Sequence, residues 1–371
     1  MKPDAIPALR TSRAPRQSPR DALVTGFAAA ADRAVMRTVA LVVQRRILPR
    51  DVDLEMLRDS VRAMLDSDLA SAPAEFFAVP AGNKTPPTAR SVVRRRLDDG
   101  RVFARQITVA YREHPLLRDF GDDSNVDIHL QHWLHEQEQT RGTVVILHGF
   151  AMGWPAIDGF AQSAAAWYER GLDVVLLTLP EHGPRRPEGA LFSGQNFTVP
   201  HAMRLAAAVR QAVFEILSVV KWLRERSQRP VGLMGMSLCG YLTSLAAGLS
   251  DDLDFAVPVV PPACMGDLAW RVYRDTGHYR AGADPVLNEA NMRAAFYLHS
   301  PLAHPLRLPP ERTLIVAGAG DRIVPPEHPT ALWRHWQRPD ILWLRGSHMA
   351  AVGNRRLVQG VTRHLERLAI L

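Results

Sequence analysis

A serine in a tight, glycine-containing turn is the first chemistry-bearing feature of this sequence. Residues 235–240 read Gly-Met-Ser-Leu-Cys-Gly, with Ser237 in the third place. They directly follow the apolar run Val231–Met234 and precede a segment with helical spacing. A serine between a strand and a helix can present its hydroxyl as a nucleophile if the residues two positions away are small. Gly235 meets that demand and Cys239 stands where glycine is usual; an ordinary turn serine is the alternative interpretation.

Two later polar residues, Asp321 and His348, are the groups that could activate this serine. Asp321 follows the apolar run Thr313–Ala317, and His348 follows the run Ile341–Leu344. A neutral imidazole can take the serine proton, and a carboxylate can hold the imidazole in the correct tautomer. Taken singly, each could be a turn or structural residue. The chain order Ser, Asp, His, each after a predicted strand, favours a catalytic triad. Asp267 is the second choice for the acid.

A fourth feature, Leu147-His148-Gly149-Phe150, begins where the apolar run Thr143–Leu147 ends. Backbone N–H groups in such a loop can stabilise a developing oxyanion beside the serine. The expected donors of this oxyanion hole are the amides of Phe150 and Leu238. For the imidazole of His148, a structural role within the loop is the better interpretation.

Other chemistries lack their motifs in this chain. There is no phosphate-binding Gly-x-x-x-x-Gly-Lys-Ser/Thr loop, and the 14 histidines include no His-Glu-x-x-His pair. The two cysteines, Cys239 and Cys264, lack zinc spacing and fit a reducing compartment better than a disulfide scaffold. We therefore expect no cofactor, no metal and a cytoplasmic location. Cys239 is expected to pack the helix against the strand, with redox reactivity as the alternative.

The elements that must position these residues are short, continuously apolar runs separated by helical patterns. The six runs are Thr143–Leu147, Asp173–Leu179, Val231–Met234, Phe255–Val260, Thr313–Ala317 and Ile341–Leu344. Continuous apolarity is typical of strands that helices cover on both faces. Helical stripes run from Ile157 to Tyr168 and from Leu205 to Leu223. The pattern predicts an α/β fold with a doubly wound, mostly parallel sheet. Two antiparallel strands should precede it, near residues 103–111 and 126–130.

The rest of the chain is predicted to form a tail, a helical extension and a cap. Residues 1–20 are expected to be a flexible basic tail, 21–99 a helical extension and connector, and 100–371 the α/β domain. Residues 53–65 should form a short helix in the extension. The Pro-rich segment 261–310 is too long for a plain connection, so we expect a cap over the carboxyl edge of the sheet. Its aromatic residues should either shape an acyl pocket or anchor the cap: Trp270, Tyr273, Tyr279, Phe296 and Tyr297.

Charge is concentrated at one end of the chain. The formal net charge is +7, and the first fifty residues carry ten Lys or Arg against three Asp, so the remainder is neutral. A neutral body argues against a nucleic-acid partner. The apolar stripe from Val24 to Val42 predicts a helix that packs on the body or lies on an anionic membrane. Packing is favoured because the stripe is mostly Val and Ala. Interrupting arginines argue against a secretory signal or a membrane-spanning helix, and the sequence leaves the oligomeric state open.

On these features, the chain from about Phe103 to Leu371 resembles the α/β-hydrolase superfamily of esterases, lipases and thioesterases. The matching features are His148-Gly149-Phe150, the nucleophile elbow at Ser237, Asp321, His348 and the loop Leu179–Pro187. The Arg-Pro segment of that loop, with the helical extension, is similar to an abhydrolase-domain subgroup. The resemblance implies a serine esterase that works through an acyl-enzyme without a cofactor. The substrate would be a small-molecule or lipid carboxylic ester, or a thioester; a non-catalytic binding or scaffold protein is the alternative.

Overall fold

The computed structural model of this chain describes a nine-stranded sheet with helices on both sides. The residues described are 50–67, 69, 73–77, 88–121, 127–136, 140–197, 201–275 and 284–371, together with Leu9, Thr25, Gly26, Ala30 and Asp32. The strands are β1 (Thr88–Leu97), β2 (Gly100–Thr108), β3 (Asp127–His135), β4 (Gly142–Leu147), β5 (Leu172–Thr178), β6 (Val231–Met236), β7 (Phe255–Val259), β8 (Leu314–Gly318) and β9 (Asp340–Leu344). The helices are α1 (Arg50–Asp66), α2 (Pro73–Phe76), α3 (Pro155–Ala161), α4 (Ala164–Tyr168), α5 (Ala202–Arg224), α6 (Leu238–Leu249), α7 (Met265–Asp275), α8 (Glu289–Tyr297), α9 (Glu327–His335) and α10 (Arg355–Arg367).

The strands lie in the order β1-β2-β3-β5-β4-β6-β7-β8-β9. Neighbouring strands from β1 to β5 in this order pair antiparallel: β1 with β2, β2 with β3 and β3 with β5. The remaining neighbours pair parallel: β5 with β4, β4 with β6, β6 with β7, β7 with β8 and β8 with β9. Alternate residues of the parallel strands enter two separate apolar cores. Val145 packs in the core that holds α5 and α6, and Ile146 packs in the core with α4 and α10. Because both faces of these strands are covered, each reads as a continuous apolar run. The predicted doubly wound α/β fold is confirmed.

Each of the six apolar runs forms one of the strands β4 to β9, and the two predicted antiparallel strands are β2 and β3. Residues 88–97 fall in the segment 21–99 that was predicted as a helical extension and connector, whereas they form β1 at the edge of the sheet. This strand contains four arginines, and its residues are exposed except for Leu97, which is half-buried. A solvated strand has no apolar alternation to reveal it, and charged side chains are typical of sheet edges.

The single buried stripe predicted from Ile157 to Tyr168 is wrong. The backbone breaks at Ser163, whose φ of +57° ends α3 and starts α4. Helix α3 turns Gly159 towards the sheet, where a Cβ would lie 3.3 Å from Cδ1 of Leu176. That close approach leaves Ile157 and its neighbour Phe160 on the outer face, exposed to solvent.

The described part of the extension packs on the α/β body. The helix predicted at residues 53–65 is α1, which lies against α5 and α8. Arg58 donates to Asp284 at 2.7 Å, and the Ala202 N–H donates to Oγ of Ser60 at 3.0 Å. The predicted tail, apart from Leu9, and the apolar residues of the stripe from Val24 to Val42 lie outside the described residues, as do residues 70–72 and 78–87 of the predicted extension and connector. No helix in the described part of the chain combines the length and apolar character needed to cross a membrane.

The cap residues described, 261–275 and 284–310, contain helices α7 and α8, which pack against each other. Trp270, Tyr273 and Phe296 are buried in the same apolar core as α5 and α6. Tyr297 is half-buried, with its hydroxyl donating to the Leu302 carbonyl at 3.3 Å, and Tyr279 lies outside the described residues. The three buried rings therefore pack the segment 261–310 onto the body. Its role as a cap, and an acyl pocket shaped by its rings, stay predictions.

Candidate active site

Ser237 stands in the turn between β6 and α6, with φ of +60° and ψ of −121°. Its N–H donates to the Val259 carbonyl at 2.9 Å, which fixes the turn to the end of β7. A Cβ on Gly235 would lie 2.5 Å from the Cys239 carbonyl oxygen, so no side chain fits there. The positive φ at a serine is costly and persists only where the surroundings enforce it. The close packing of helix on strand provides that enforcement and leaves Ser237 partly accessible.

The structure brings the side chains of Ser237, His348 and Asp321 into one hydrogen-bonded row. The Ser237 hydroxyl lies 2.8 Å from Nε2 of His348, to which it can donate. Nδ1 of His348 lies 2.7 Å from Oδ2 of Asp321. Each side chain follows the carboxyl end of a parallel strand, β6, β8 or β9, and these ends share one edge of the sheet. The arrangement lets the imidazole accept the serine proton while the carboxylate holds its far side.

The second oxygen of Asp321 sets the orientation of that carboxylate. Oδ1 accepts the backbone N–H groups of Ile323 and Val324 at 2.9 and 2.8 Å, which leaves Oδ2 directed at the imidazole. Asp321 is 1% exposed, so water does not compete for these contacts. Asp267, the second choice for the acid, instead accepts from Nε of Arg293 at 2.6 Å within the cap.

His148 supports the loop that holds the proposed oxyanion donors. Its Nε2 accepts the Leu179 N–H at 3.1 Å, and its Nδ1 lies 2.9 Å from the Gly149 carbonyl, to which it can donate. Both contacts are satisfied by one neutral tautomer, and burial lowers the pKa of His148 to about 3. The main-chain N–H groups of Phe150 and Leu238 have no hydrogen-bond partner among the described residues. They are therefore free to donate to a bound oxyanion, which stays a prediction.

The loop after β5 contacts the loop after β4, which holds Phe150. Arg185 is buried and donates to both carboxylate oxygens of Glu215 on α5, at 2.6 and 2.8 Å. Ser193 accepts the Gly183 N–H at 2.9 Å and donates to the Met152 carbonyl. The Arg-Pro segment named in the sequence analysis is thus a structural anchor, since its buried arginine donates to the Glu215 carboxylate and to the Thr178 carbonyl.

The sequence comparison identifies relatives in Mycobacterium tuberculosis. The uncharacterised protein Rv2627c of strain H37Rv is 31% identical over 321 residues, which covers 81% of this chain and 71% of the relative. Its counterpart MT2702 in strain CDC 1551 gives the same values. This chain belongs to the Rv2627c family. No protein-family model matches the chain, and the abhydrolase-domain subgroup suggested by the sequence stays a prediction.

Two solved structures of other proteins share the fold of this member of the Rv2627c family. Acetyl xylan esterase 1 from Thermoanaerobacterium sp. JW/SL YS485 superposes with a TM-score of 0.57 at 15% identity, covering 81% of this chain and 93% of the esterase. The acetyl xylan esterase from Paenibacillus sp. R4 gives a TM-score of 0.55 at 15% identity, covering 85% and 99%. At such identities the likeness establishes the α/β-hydrolase fold and nothing finer.

Two polar residues near the site carry no motif and were missed from the sequence. Asp158 on α3 accepts the Gly153 N–H at 3.2 Å, and burial raises the pKa of its carboxyl to about 7. Asp32 accepts the N–H of His348 itself. One feature of the sequence distinguishes Asp32: it is the only acidic residue between positions 22 and 50. Among the described residues, no group of three His, Cys, Asp or Glu side chains is placed to hold a metal ion.

Replacing Cys239 with alanine should leave kcat within about twofold of wild type and cost roughly 1 kcal/mol of stability. The thiol is fully buried, and burial, followed by the charge of Asp158, raises its pKa well above the usual value. A thiol held protonated and away from solvent is a poor nucleophile. Ester turnover and thermal denaturation of Cys239→Ala and Cys239→Ser check this. Loss of turnover at unchanged stability would instead assign the thiol a part in the chemistry.

Proposed function

We propose that this chain is a serine hydrolase that cleaves a carboxylic ester through an acyl-enzyme on Ser237. The observation that carries the proposal is the continuous row from the Ser237 hydroxyl through His348 to Asp321, with contacts of 2.8 and 2.7 Å. A nucleophile within hydrogen-bond reach of a base, itself oriented by a third group, is the arrangement that nucleophilic acyl transfer requires. The two acetyl xylan esterases that share the fold support an ester as substrate.

In the acylation step, Oγ of Ser237 attacks the ester carbonyl carbon while Nε2 of His348 takes the hydroxyl proton. The carbonyl oxygen becomes an oxyanion, which the N–H groups of Phe150 and Leu238 would stabilise. Protonated His348 then gives its proton to the leaving alcohol oxygen as the carbonyl re-forms. Water repeats the sequence with His348 as base, which releases the acid and restores the Ser237 hydroxyl.

The proposal covers three kinds of substrate: a simple carboxylic ester, a thioester and a lipid acyl ester. Turnover of p-nitrophenyl esters and acyl-CoA thioesters of graded chain length separates these substrates. A higher kcat/KM for one class over the other assigns the leaving group.

A fluorophosphonate probe tests the reaction class without knowledge of the substrate. We expect the full-length protein to be labelled on Ser237, as located by peptide mass spectrometry, because the probe reacts with a serine that a neighbouring base activates. Ser237→Ala should remain unlabelled under the same conditions. A folded wild-type protein that the probe does not label would overturn the proposal in favour of a non-catalytic binding or scaffold protein.

A further inference from the structure

The N-terminal segment contacts the two loops that carry the proposed acid and base. Oδ2 of Asp32 accepts the main-chain N–H of His348 at 2.8 Å and that of Arg322 at 3.3 Å. His348 is the proposed base, and Arg322 directly follows the proposed acid, Asp321. One carboxylate oxygen therefore joins the two loops whose spacing sets the contact between His348 and Asp321.

Thr25 makes a second contact of the same kind. Its Oγ1 accepts the Gly346 N–H at 3.2 Å, two residues before His348. Gly320, just before the acid, donates its N–H to the Gly346 carbonyl at 2.8 Å. A Cβ on Gly320 would lie 2.3 Å from Cγ2 of Thr25, so Thr25 packs directly on both loops. Thr25 and Asp32 thus both contact the loops that carry the proposed acid and base.

The burial of Asp32 argues that this contact serves a purpose. The residue is 0% exposed, and among the described residues its Oδ1 has no hydrogen-bond partner. Placing a carboxylate in such surroundings costs free energy unless its hydrogen bonds compensate. The two that compensate here both come from the main chain of the triad loops, and neither comes from the remote body of the fold.

The geometry points to Asp32 as a positioning residue of the triad, supplied by the N-terminal extension. Its carboxylate holds the acid loop and the base loop at the spacing that lets His348 contact both Asp321 and Ser237. The inference rests on the proposed function and deepens it, because it adds a residue that acts through the main chain of the base. A misplacement of about 1 Å at a reacting group can reduce a rate on the order of a hundredfold.

The test compares Asp32→Ala with Asp32→Asn in the full-length chain. Fluorophosphonate titration counts active sites, and p-nitrophenyl acetate hydrolysis then gives kcat and KM per titrated site. We expect Asp32→Ala to lower kcat by roughly 10- to 100-fold with KM nearly unchanged. Asp32→Asn keeps an oxygen acceptor for the same two N–H groups, so it should recover kcat to within about fivefold of wild type.

Ser60→Ala is the matched control. Ser60 is also buried and also ties the extension to the body through one main-chain donor, Ala202, but at the start of α5. Its loss should lower the melting temperature while kcat per titrated site stays at the wild-type value. If Asp32 had a purely structural role, its loss would likewise lower the melting temperature and leave kcat unchanged. A fall in kcat per titrated site therefore distinguishes the positioning role from the structural one.

The outcomes decide the inference in each case. The inference would be overturned if folded Asp32→Ala kept the wild-type kcat, or if Asp32→Asn lost as much kcat as Asp32→Ala. In either case, labelling of Ser237 in the wild type would leave the proposed function standing. Absence of labelling in the wild type would overturn both. Should Asp32→Ala fail to fold, Thr25→Val removes the acceptor of Gly346 instead. A several-fold fall in its kcat supports the positioning role, and wild-type kcat contradicts it.

Discussion

A Ser237→Ala protein is expected to lose on the order of a millionfold in kcat towards its ester substrate. Alanine has no hydroxyl, so the acyl-enzyme cannot form, and only the background provided by the remaining groups survives. The fold should be retained, because alanine and serine both carry a Cβ and the φ of +60° strains them alike. The hydrogen bond lost to His348 is worth about 1 kcal/mol.

Turnover of p-nitrophenyl acetate and thermal denaturation of the two proteins provide the measurement. Ser244→Ala is the control, since Ser244 is the next serine along α6, is fully buried and donates to the Gly240 carbonyl at 2.8 Å. It should keep wild-type turnover. If a folded Ser237→Ala protein turned over substrate at nearly the wild-type rate, the acyl-enzyme mechanism would have to be abandoned.

An Asp321→Asn protein is expected to lose about ten-thousandfold in kcat with little change in geometry. The backbone N–H groups of Ile323 and Val324 hold the Oδ1 position at 2.9 and 2.8 Å, so the amide oxygen must take that place. The amide NH2 then faces Nδ1 of His348. That contact favours the tautomer with its proton on Nε2, which cannot accept the proton of Ser237.

Asp267→Asn is the matched control for this experiment. Asp267 is as buried as a typical core residue, but it accepts from Nε of Arg293 at 2.6 Å within the cap. Its substitution should lower stability and leave kcat close to wild type. If Asp267→Asn proved inactive and Asp321→Asn active, the acid would be assigned to the wrong strand.

The strands and the nucleophile turn could be read from the sequence because their signals are local. A strand buried on both faces needs apolar side chains on both, and the six continuous runs in the chain form six of the nine strands, β4 to β9. The turn at Ser237 needs small neighbours because α6 packs closely on β6. Ser237, Asp321 and His348 each follow one of three strands of a parallel sheet, and at their shared edge the Ser237 hydroxyl and the Asp321 carboxylate contact the two ring nitrogens of His348 at 2.8 and 2.7 Å. Their catalytic roles stay a prediction.

Several local features were set by tertiary packing and were misread from the sequence. The break at Ser163 turns α3 so that Gly159 meets Leu176 of β5, and this exposes the apolar Phe160. Helical periodicity assumes one uninterrupted axis, so it cannot detect such a break. Strand β1 escaped for a related reason, since an exposed edge strand has no buried face to create a pattern.

The sequence by itself determined the α/β fold, the positions of strands β2 to β9 along the chain and the placing of Ser237, Asp321 and His348 after three of these strands. Only the tertiary structure decided what surrounds them. Asp32 meets His348 across 316 positions of sequence, and Arg185 meets Glu215 across 30. A carboxylate that accepts a main-chain N–H leaves no period and no motif in a single sequence, because the contact depends on the position of the backbone and not on the type of the residue that donates.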